Sequence, residues 1–157
     1  MKTKPRRKVQ SSEVLTAFWD TSGIVPLCCF QAQTTRSQQT ARVYSRQVVW
    51  WGTIVEAISS LHRLARDGDL TPAARNRALR RLEYLRSRWN EIQPTEEVRQ
   101  RAERLLAVHR LRAADALQLS AALVWCSNRT RARVFVGADA GLLDAAEAEG
   151  FTILRLL

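Results

Sequence analysis

The sequence predicts an α/β fold, a single domain in which helices flank a mainly parallel central sheet. Short apolar segments alternate along the chain with segments of helical periodicity, and this alternation is typical of parallel β-α-β units. The 157 residues suit one compact domain. The 46% share of apolar residues is enough for a core, which excludes a wholly disordered chain.

The composition also bears on the cellular setting. No apolar run reaches the roughly 20 residues of a membrane-spanning helix, so we expect no membrane partner. Residues 1–12 are basic and the apolar core of a signal peptide does not follow them, so we expect a flexible tail rather than a secretory signal, ahead of a domain over residues 13–157. Cys28, Cys29 and Cys126 form neither a disulfide framework nor a spaced zinc site, which favours a reducing cytoplasm.

In the first part of the chain, polar segments separate short apolar runs. Residues 14–19 are apolar and predict a strand that ends at a polar turn over residues 20–23. A proline interrupts residues 24–31, which resemble the first turns of a helix. The polar residues 31–39 predict a loop that leads into a helix near residues 40–45.

The middle of the chain contains the clearest start and stop signals. Residues 47–51 are rich in Val and Trp and predict a second strand. A helix over residues 53–66 follows and stops at an Asp-Gly-Asp sequence. Thr71 is a typical N-cap and Pro72 a typical first helical residue, so we expect another helix over residues 72–89.

The remaining segments continue the alternation of strands and helices. The predicted helices span residues 94–109, 112–125 and 140–149. The predicted strands span residues 90–93, 133–136 and 152–156. Ligands of such parallel sheets bind at the carboxyl ends of the strands, so acidic residues at those ends are candidate site residues.

Three acidic residues each follow a predicted strand, at or near the start of a helix. Asp20, Glu56 and Asp139 occupy these positions, and the carboxyl ends of parallel strands share one edge of the sheet, so we expect them to converge. Each residue also has a local alternative. Asp20 and Asp139 suit helix N-caps, and Glu56 would complete a capping box with Thr53.

A fourth acid, Asp115, stands out by its surroundings. It is the only charged residue between Arg112 and Arg129, on a predicted helix that is otherwise apolar. A partly buried carboxylate there needs a hydrogen bond, a counter-charge or a metal ion. The alternative is an acid in the first turn that interacts favourably with the helix dipole.

Four converging carboxylates would repel one another strongly. Two unit charges about 4 Å apart repel by roughly 4 kcal/mol at an effective dielectric constant near 20. Protonation, arginine or a divalent cation would relieve this repulsion. Oxygen-only ligands favour Mg²⁺ or Mn²⁺ over zinc.

The overall charge indicates a polyanionic partner. Lys and Arg together number 25 against 15 acids, a net charge of +10, which favours RNA or DNA. An arginine excess that only solvates helix faces is the alternative. The Arg-rich face of residues 75–88 is a candidate phosphate-binding surface.

Acids that hold a metal ion within a basic chain are typical of enzymes that act on phosphate esters.

Four motifs, taken in this order and spacing, resemble the PIN-domain ribonucleases, and in particular the VapC toxins of bacterial type II toxin–antitoxin systems. The motifs are Phe18-Trp19-Asp20-Thr21-Ser22-Gly23-Ile24-Val25, Thr53-Ile54-Val55-Glu56, Leu111-Arg112-Ala113-Ala114-Asp115-Ala116-Leu117-Gln118-Leu119 and Val134-Phe135-Val136-Gly137-Ala138-Asp139. The Asp-Thr-Ser motif after the first strand and the Ala-Ala-Asp-Ala-Leu motif are each moderately specific, and the four motifs in order are strong evidence. The resemblance covers about residues 14–157.

This resemblance implies a PIN-like fold, an activity and partners. The catalytic and metal-binding residues that it implies are Asp20, Glu56, Asp115 and Asp139, with Thr21 and Ser22 as supporting hydroxyls. The implied reaction is Mg²⁺- or Mn²⁺-dependent endonucleolytic cleavage of RNA, such as tRNA or ribosomal RNA, to 5′-phosphate and 3′-hydroxyl ends. The implied partners are a cognate VapB-type antitoxin, which inhibits the enzyme, and a second copy of the chain in a homodimer.

Two positions depart from the family pattern. Gly137 stands where many members carry Ser or Thr, and Gln118 stands in place of a frequent His, a change for which we expect no catalytic consequence. Two alternatives to an active enzyme stay open. In the first alternative, the chain is a catalytically inactive RNA-binding module of this fold. In the second, it only forms the toxin–antitoxin complex. The presence of all four acids favours the enzyme.

Overall fold

Five parallel strands form the centre of the structure, a computed structural model that describes residues 14–157. The strands are β1 (Thr16–Trp19), β2 (Arg46–Trp50), β3 (Asn90–Ile92), β4 (Val134–Gly137) and β5 (Thr152–Arg155). Their spatial order is β3-β2-β1-β4-β5, and each neighbouring pair is parallel. The predicted parallel sheet is confirmed. The predicted tail over residues 1–12 lies outside the described residues.

Helices cover both faces of this sheet. They are α1 (Thr21–Ile24), α2 (Thr34–Val43), α3 (Thr53–Arg66), α4 (Pro72–Arg86), α5 (Glu96–Val108), α6 (Ala113–Trp125) and α7 (Ala140–Ala148). A short 3-10 turn, Val25–Leu27, directly follows α1. Within residues 14–157, none of these helices has the length and apolar character needed to cross a bilayer.

The strands are apolar on both faces because the sheet separates two cores. Phe18 points into the core formed with α5, α6 and α7, where it stacks on Phe135 at 5.2 Å between ring centroids. Its neighbour Trp19 points into the opposite core with α3 and α4. Burial on both faces explains why the strands read as continuous apolar runs rather than as alternating ones.

Helix α2 is the main difference from the predicted elements, because a loop was expected over residues 31–39. Thr34 and Ser37 are buried on the inner face of α2, where larger apolar residues usually stand. The Thr34 hydroxyl accepts a hydrogen bond from the Gln31 N–H at 2.8 Å and donates one to the Pro26 carbonyl at 3.1 Å. Small polar residues on the inner face of a helix leave no apolar periodicity, so the sequence pattern resembles a loop.

Three strand-to-helix connections form the functional edge of the sheet. The turn predicted over residues 20–23 is instead the start of α1, directly after β1. Likewise α3 follows β2 after two residues and α7 follows β4 after two residues. These short connections bring the first turns of three helices to the carboxyl ends of adjacent strands.

Candidate active site

A cleft of about 420 Å³ opens at this edge of the sheet, and all four predicted acids line it. Asp20 lies between β1 and α1, and Asp139 lies between β4 and α7. Glu56 and Asp115 lie in the first turns of α3 and α6. The predicted convergence of the four carboxylates is therefore confirmed.

Asp20 is the most buried of the four, with 5% of its surface exposed. Its Oδ2 accepts hydrogen bonds from the Ser22 backbone N–H at 3.0 Å and from the Ser22 hydroxyl. The Ser22 hydroxyl oxygen also accepts the Ala138 N–H at 2.8 Å. Burial raises the pKa of Asp20, the Ser22 hydrogen bonds oppose that rise, and repulsion from Asp115 adds to it. Ser22 therefore fixes Asp20 against the connection that follows β4.

The departure at Gly137 has a structural counterpart in Ser22. A Cβ atom on Gly137 would lie 3.4 Å from the Ser22 hydroxyl oxygen, 3.4 Å from the Asp20 Cβ and 3.3 Å from a Leu143 methyl. Ser22 already provides a hydroxyl beside this position, and the space for a second one is tight.

Glu56 contacts residues of two other elements rather than its own helix terminus. The N-cap of α3 is Gly52, and no side chain caps this helix. The Oε2 of Glu56 accepts hydrogen bonds from the Thr21 hydroxyl at 3.0 Å and from the Gln118 amide at 3.3 Å. The capping-box interpretation of Glu56 with Thr53 is therefore wrong, because neither side chain caps the helix and both form hydrogen bonds inside the site.

Gln118 belongs to the site, although the sequence indicated it only as a departure from the family pattern. It is fully buried, and its Nε2 donates to the Thr21 hydroxyl at 2.8 Å as well as to Glu56. Its Oε1 is buried without a hydrogen-bond partner among the described residues. The available signal was an amide one helical turn after Asp115 on an otherwise apolar helix. Its consequence for catalysis stays a prediction, but its contact with Glu56 gives it a role in holding the site.

Asp115 and Asp139 form the other wall of the cleft. Burial raises the pKa of Asp115, and repulsion from Asp139 adds to the rise, while the Arg112 N–H and guanidinium lower it. Asp139 is exposed, and its Oδ1 accepts the Leu142 N–H at 2.8 Å as the N-cap of α7. The N-cap interpretations of Asp20 and Asp139 are thus confirmed, alongside their position in the cleft.

The charge of the cleft is not balanced by arginine. Among residues 14–157, none of the four acids forms an ion pair. Of the described residues that line the cleft, Arg63 alone is cationic. Burial also raises the pKa of Glu56, and repulsion from Asp20 and Asp115 contributes. The cleft is thus an acidic site within a strongly basic chain.

The donor set suits a hard divalent cation bound by few protein ligands. Within the described part of the chain, no three His, Cys, Asp or Glu side chains are arranged to hold one ion together. Mg²⁺ keeps several waters and is usually bound by one or two carboxylates together with substrate phosphate. The carboxylate oxygens therefore fit Mg²⁺ or Mn²⁺ in that mode, and they do not form a closed cage.

Comparison with known proteins identifies the fold. The sequence matches no protein-family model and no curated protein. A toxin–antitoxin complex from Klebsiella pneumoniae is similar in structure, with a TM-score of 0.63 and 14% identity over 90% of this chain and 98% of that chain. PAE2754 from Pyrobaculum aerophilum is similar with a TM-score of 0.63 and 20% identity over 90% of each chain. At these identities the likeness establishes the fold alone, an α/β fold with a five-stranded parallel sheet.

Proposed function

We propose that this protein is a metal-dependent endoribonuclease and the toxin component of a VapC-type toxin–antitoxin pair. The observation that carries the proposal is the acidic cleft, in which four carboxylates from four chain segments converge and none of them forms an ion pair with a described residue. A divalent cation would relieve their repulsion, and the basic surface would attract a nucleic acid. The four motifs and the structural likeness to a toxin–antitoxin complex support the same function.

The proposed reaction is hydrolysis of an RNA phosphodiester. A water oxygen bonds to phosphorus and the bond from phosphorus to O3′ breaks, which leaves 5′-phosphate and 3′-hydroxyl ends. When bound, Mg²⁺ or Mn²⁺ supplies a more acidic water and offsets charge on the phosphate. Asp20 and Asp115 would hold the ion, and Glu56 and Asp139 would stand beside it in the same cleft.

Other residues of the cleft would prepare the site for this reaction. Ser22 orients Asp20, while Thr21 and Gln118 orient Glu56. Burial raises the pKa of Glu56, so this carboxylate accepts a proton more readily than an exposed one and is suited to act as a general base. Arg63 on the cleft wall is suited to contact a phosphate oxygen that does not react.

The partners belong to the same proposal and rest on the motif resemblance. We infer an RNA substrate such as tRNA or ribosomal RNA, a cognate VapB-type antitoxin, a homodimer and a cytoplasmic location. One structural neighbour is a toxin–antitoxin complex, which supports the antitoxin.

A second candidate function is a PIN-fold module that binds RNA or an antitoxin without turnover. Two observations favour it. No three described acids are arranged to hold one ion, and the exposed Asp139 already serves as a helix cap. This candidate predicts RNA binding that needs no metal and is insensitive to substitution of Asp20.

The test is cleavage of a small-RNA pool by the purified protein with Mg²⁺, with Mn²⁺ and with EDTA. We expect cleavage with either metal and none with EDTA. Asp20→Asn should abolish cleavage, whereas Asp69→Asn, at an exposed carboxylate between α3 and α4, should leave it unchanged. Equal cleavage by Asp20→Asn and wild type would exclude the assigned site. No cleavage by a folded wild type would favour the second candidate.

A further inference from the structure

A second cavity, of about 500 Å³, lies away from the acidic cleft and shares no lining residue with it. Its wall includes Ser45 and Gln47 at the amino end of β2, whereas the acids lie at the carboxyl ends of the strands. Strand β2 has five residues, and a strand rises about 3.3 Å per residue, so its two ends lie roughly 13 Å apart. The cavity is therefore a separate feature of the molecule.

Three arginines and no carboxylate line this cavity. Arg42 comes from α2, Arg81 from α4 and Arg88 from the turn after α4. All three are exposed, and none forms an ion pair with a described acid. Arg86 on the same helix differs, because it lies within salt-bridge distance of Glu83. The cavity thus carries uncompensated positive charge in the form of guanidinium groups, which bind phosphate in a forked geometry.

An exposed aromatic ring stands between two of these arginines. The Tyr84 side chain is 51% exposed, and the guanidinium carbons of Arg81 and Arg88 lie 5.1 Å and 5.6 Å from its ring centre. Arg88 Nη1 also donates a hydrogen bond to the Tyr84 hydroxyl at 3.2 Å. Aromatic rings beside arginines are platforms on which the bases of single-stranded nucleic acids stack.

A buried amide adds a hydrogen-bond donor to the wall. Gln47 is 8% exposed, and its Oε1 accepts the Trp89 indole N–H at 3.1 Å. An indole N–H can only donate, so this contact fixes the oxygen of Gln47 and leaves its NH₂ group free to donate. Among the described residues, that NH₂ group has no hydrogen-bond partner. The wall therefore combines charged and neutral donors, which suits an anionic ligand.

We propose that this cavity binds one nucleotide unit of single-stranded RNA, with its phosphate on Arg42, Arg81 and Arg88 and its base on Tyr84. The volume lies in the range of small-molecule sites, roughly 300–1,000 Å³. An acidic peptide would pair with the arginines but has no planar ring to stack on Tyr84. RNA therefore matches more of the residues that line the cavity. The inference rests on the proposed function in that RNA is the ligand, and it adds an anchoring site distant from the cleft.

The test measures binding of a fluorescently labelled oligouridylate to the full chain by anisotropy, in EDTA so that no cleavage occurs. We expect Arg81→Gln, Arg88→Gln and Tyr84→Leu each to weaken binding by about tenfold. Each arginine variant should also reduce the slope of log affinity against log salt by about 0.7. Arg36→Gln is the matched control, an exposed arginine on α2 outside the cavity and outside the Arg-rich face of residues 75–88, and should change affinity by less than about twofold.

Competition distinguishes the possible ligands. Uridine monophosphate that displaces the oligouridylate from wild type, but not from Tyr84→Leu, would show that a free nucleotide is also accepted at this site. Two results would overturn the inference. One is a set of cavity variants that bind RNA like Arg36→Gln, which would mean that the overall positive charge of the chain, and not the cavity, determines the affinity. The other is a polyglutamate peptide that binds the cavity while the cavity variants leave RNA affinity unchanged.

The two proposals fail in different ways. Loss of RNA binding in the cavity variants, together with no RNA cleavage by wild type under any metal, would sustain this site and overturn the nuclease. Metal-dependent cleavage with cavity variants that bind like the control would sustain the nuclease and overturn this site.

Discussion

Asp20 combines a structural task with a position in the acidic cleft. It caps α1 through Ser22, and it is buried beside other carboxylates. Burial disfavours the charged form of a carboxyl group and raises its pKa, so the ionised residue opposes folding near neutral pH. Groups that cost stability in this way are concentrated at functional sites.

Replacing Asp20 should stabilise the protein and should also abolish its activity. Asp20→Asn keeps an oxygen that can accept the cap hydrogen bond and removes the buried charge. When folding raises the pKa of a carboxyl group, the free energy of unfolding falls as pH rises from the ordinary pKa of 3.8 through the folded pKa. We therefore expect Asp20→Asn to raise the free energy of unfolding by on the order of 1 kcal/mol at pH 7. The gain should shrink towards pH 4, as measured by urea denaturation.

The control for this prediction is Asp69→Asn, which removes an exposed charge between α3 and α4. It should change the free energy of unfolding by less than about 0.5 kcal/mol. Destabilisation by Asp20→Asn at pH 7 would contradict the account of an uncompensated charge.

Gln118 offers a second test at the scale of a single side chain. Gln118→Leu removes the amide that donates to Glu56 and Thr21, and it keeps a side chain of similar size. Glu56 then loses one of its two described hydrogen bonds, so we expect cleavage to fall by about tenfold in kcat with little change in KM. Gln118→His restores a donor and should retain most of the activity. Equal kcat values for Gln118→Leu and wild type would refute a positioning role.

At the scale of elements, the connection between α5 and α7 contains the clearest stabilising ion network. Glu149, the C-cap of α7, accepts hydrogen bonds from Arg104 at 2.7 Å and from the His109 ring at 2.8 Å when that nitrogen carries a proton. Burial alone would raise the pKa of Glu149, but the hydrogen bonds and charges of Arg104 and His109 lower it. A lowered pKa means that the charged form stabilises the fold.

This network should respond to acid in a defined window. The contribution of a carboxyl group with a lowered folded pKa is complete above its ordinary value of 4.5 and is lost as pH falls through the folded pKa. Glu149→Gln should therefore lower the free energy of unfolding by about 1 kcal/mol at pH 7 and by much less at pH 3. The measurement is urea denaturation at both pH values.

Glu147→Gln is the matched control, since Glu147 is exposed on the same helix and lies 3.8 Å from Arg155. It should change the stability by less than about 0.5 kcal/mol at either pH. A Glu149→Gln effect that is the same at pH 7 and pH 3 would contradict the electrostatic origin.

The elements differ in how well the sequence predicted them. The five strands and the helices after residue 53 were predicted because apolar runs, caps and glycines mark their ends, as Thr71 and Pro72 do for α4. Helix α2 was not, because Thr34 and Ser37 fill its inner face. The burial of Thr34 depends on its backbone partners in the preceding turn, which no periodicity reveals.

At the scale of the whole molecule, topology made the acids predictable and left the rest of the site hidden. The carboxyl ends of parallel strands meet at one edge, so Asp20, Glu56 and Asp139 could be placed together from the sequence. The contacts of Gln118 could not, and of the three arginines that line the second cavity only Arg81 and Arg88 fell within the Arg-rich face of residues 75–88 that the sequence indicated. Gln118 bonds to Thr21, far away in the chain, and that contact depends on how α6 lies against the sheet. Such packing follows from the complete fold and not from a local motif.

The whole-molecule charge distribution leads to a prediction about metal and stability. An ion that binds only the folded state stabilises it, by about 2.7 kcal/mol at a free concentration of 100 times Kd. We expect Mg²⁺ or Mn²⁺ to raise the Tm in calorimetry, whereas NaCl of equal ionic strength should not. Asp20→Asn should lose this response and Asp69→Asn should keep it. An equal rise with NaCl would indicate general screening instead of a site.

The most direct test of the central claim is the chemistry of the RNA ends that the protein produces. Incubation of a small-RNA pool with wild type and Mg²⁺ should give fragments that ligate through their 5′-phosphates and carry 3′-hydroxyls, and EDTA should prevent their formation. Fragments with cyclic phosphate ends, or cleavage that persists in EDTA, would contradict a metal-dependent hydrolase at the four carboxylates.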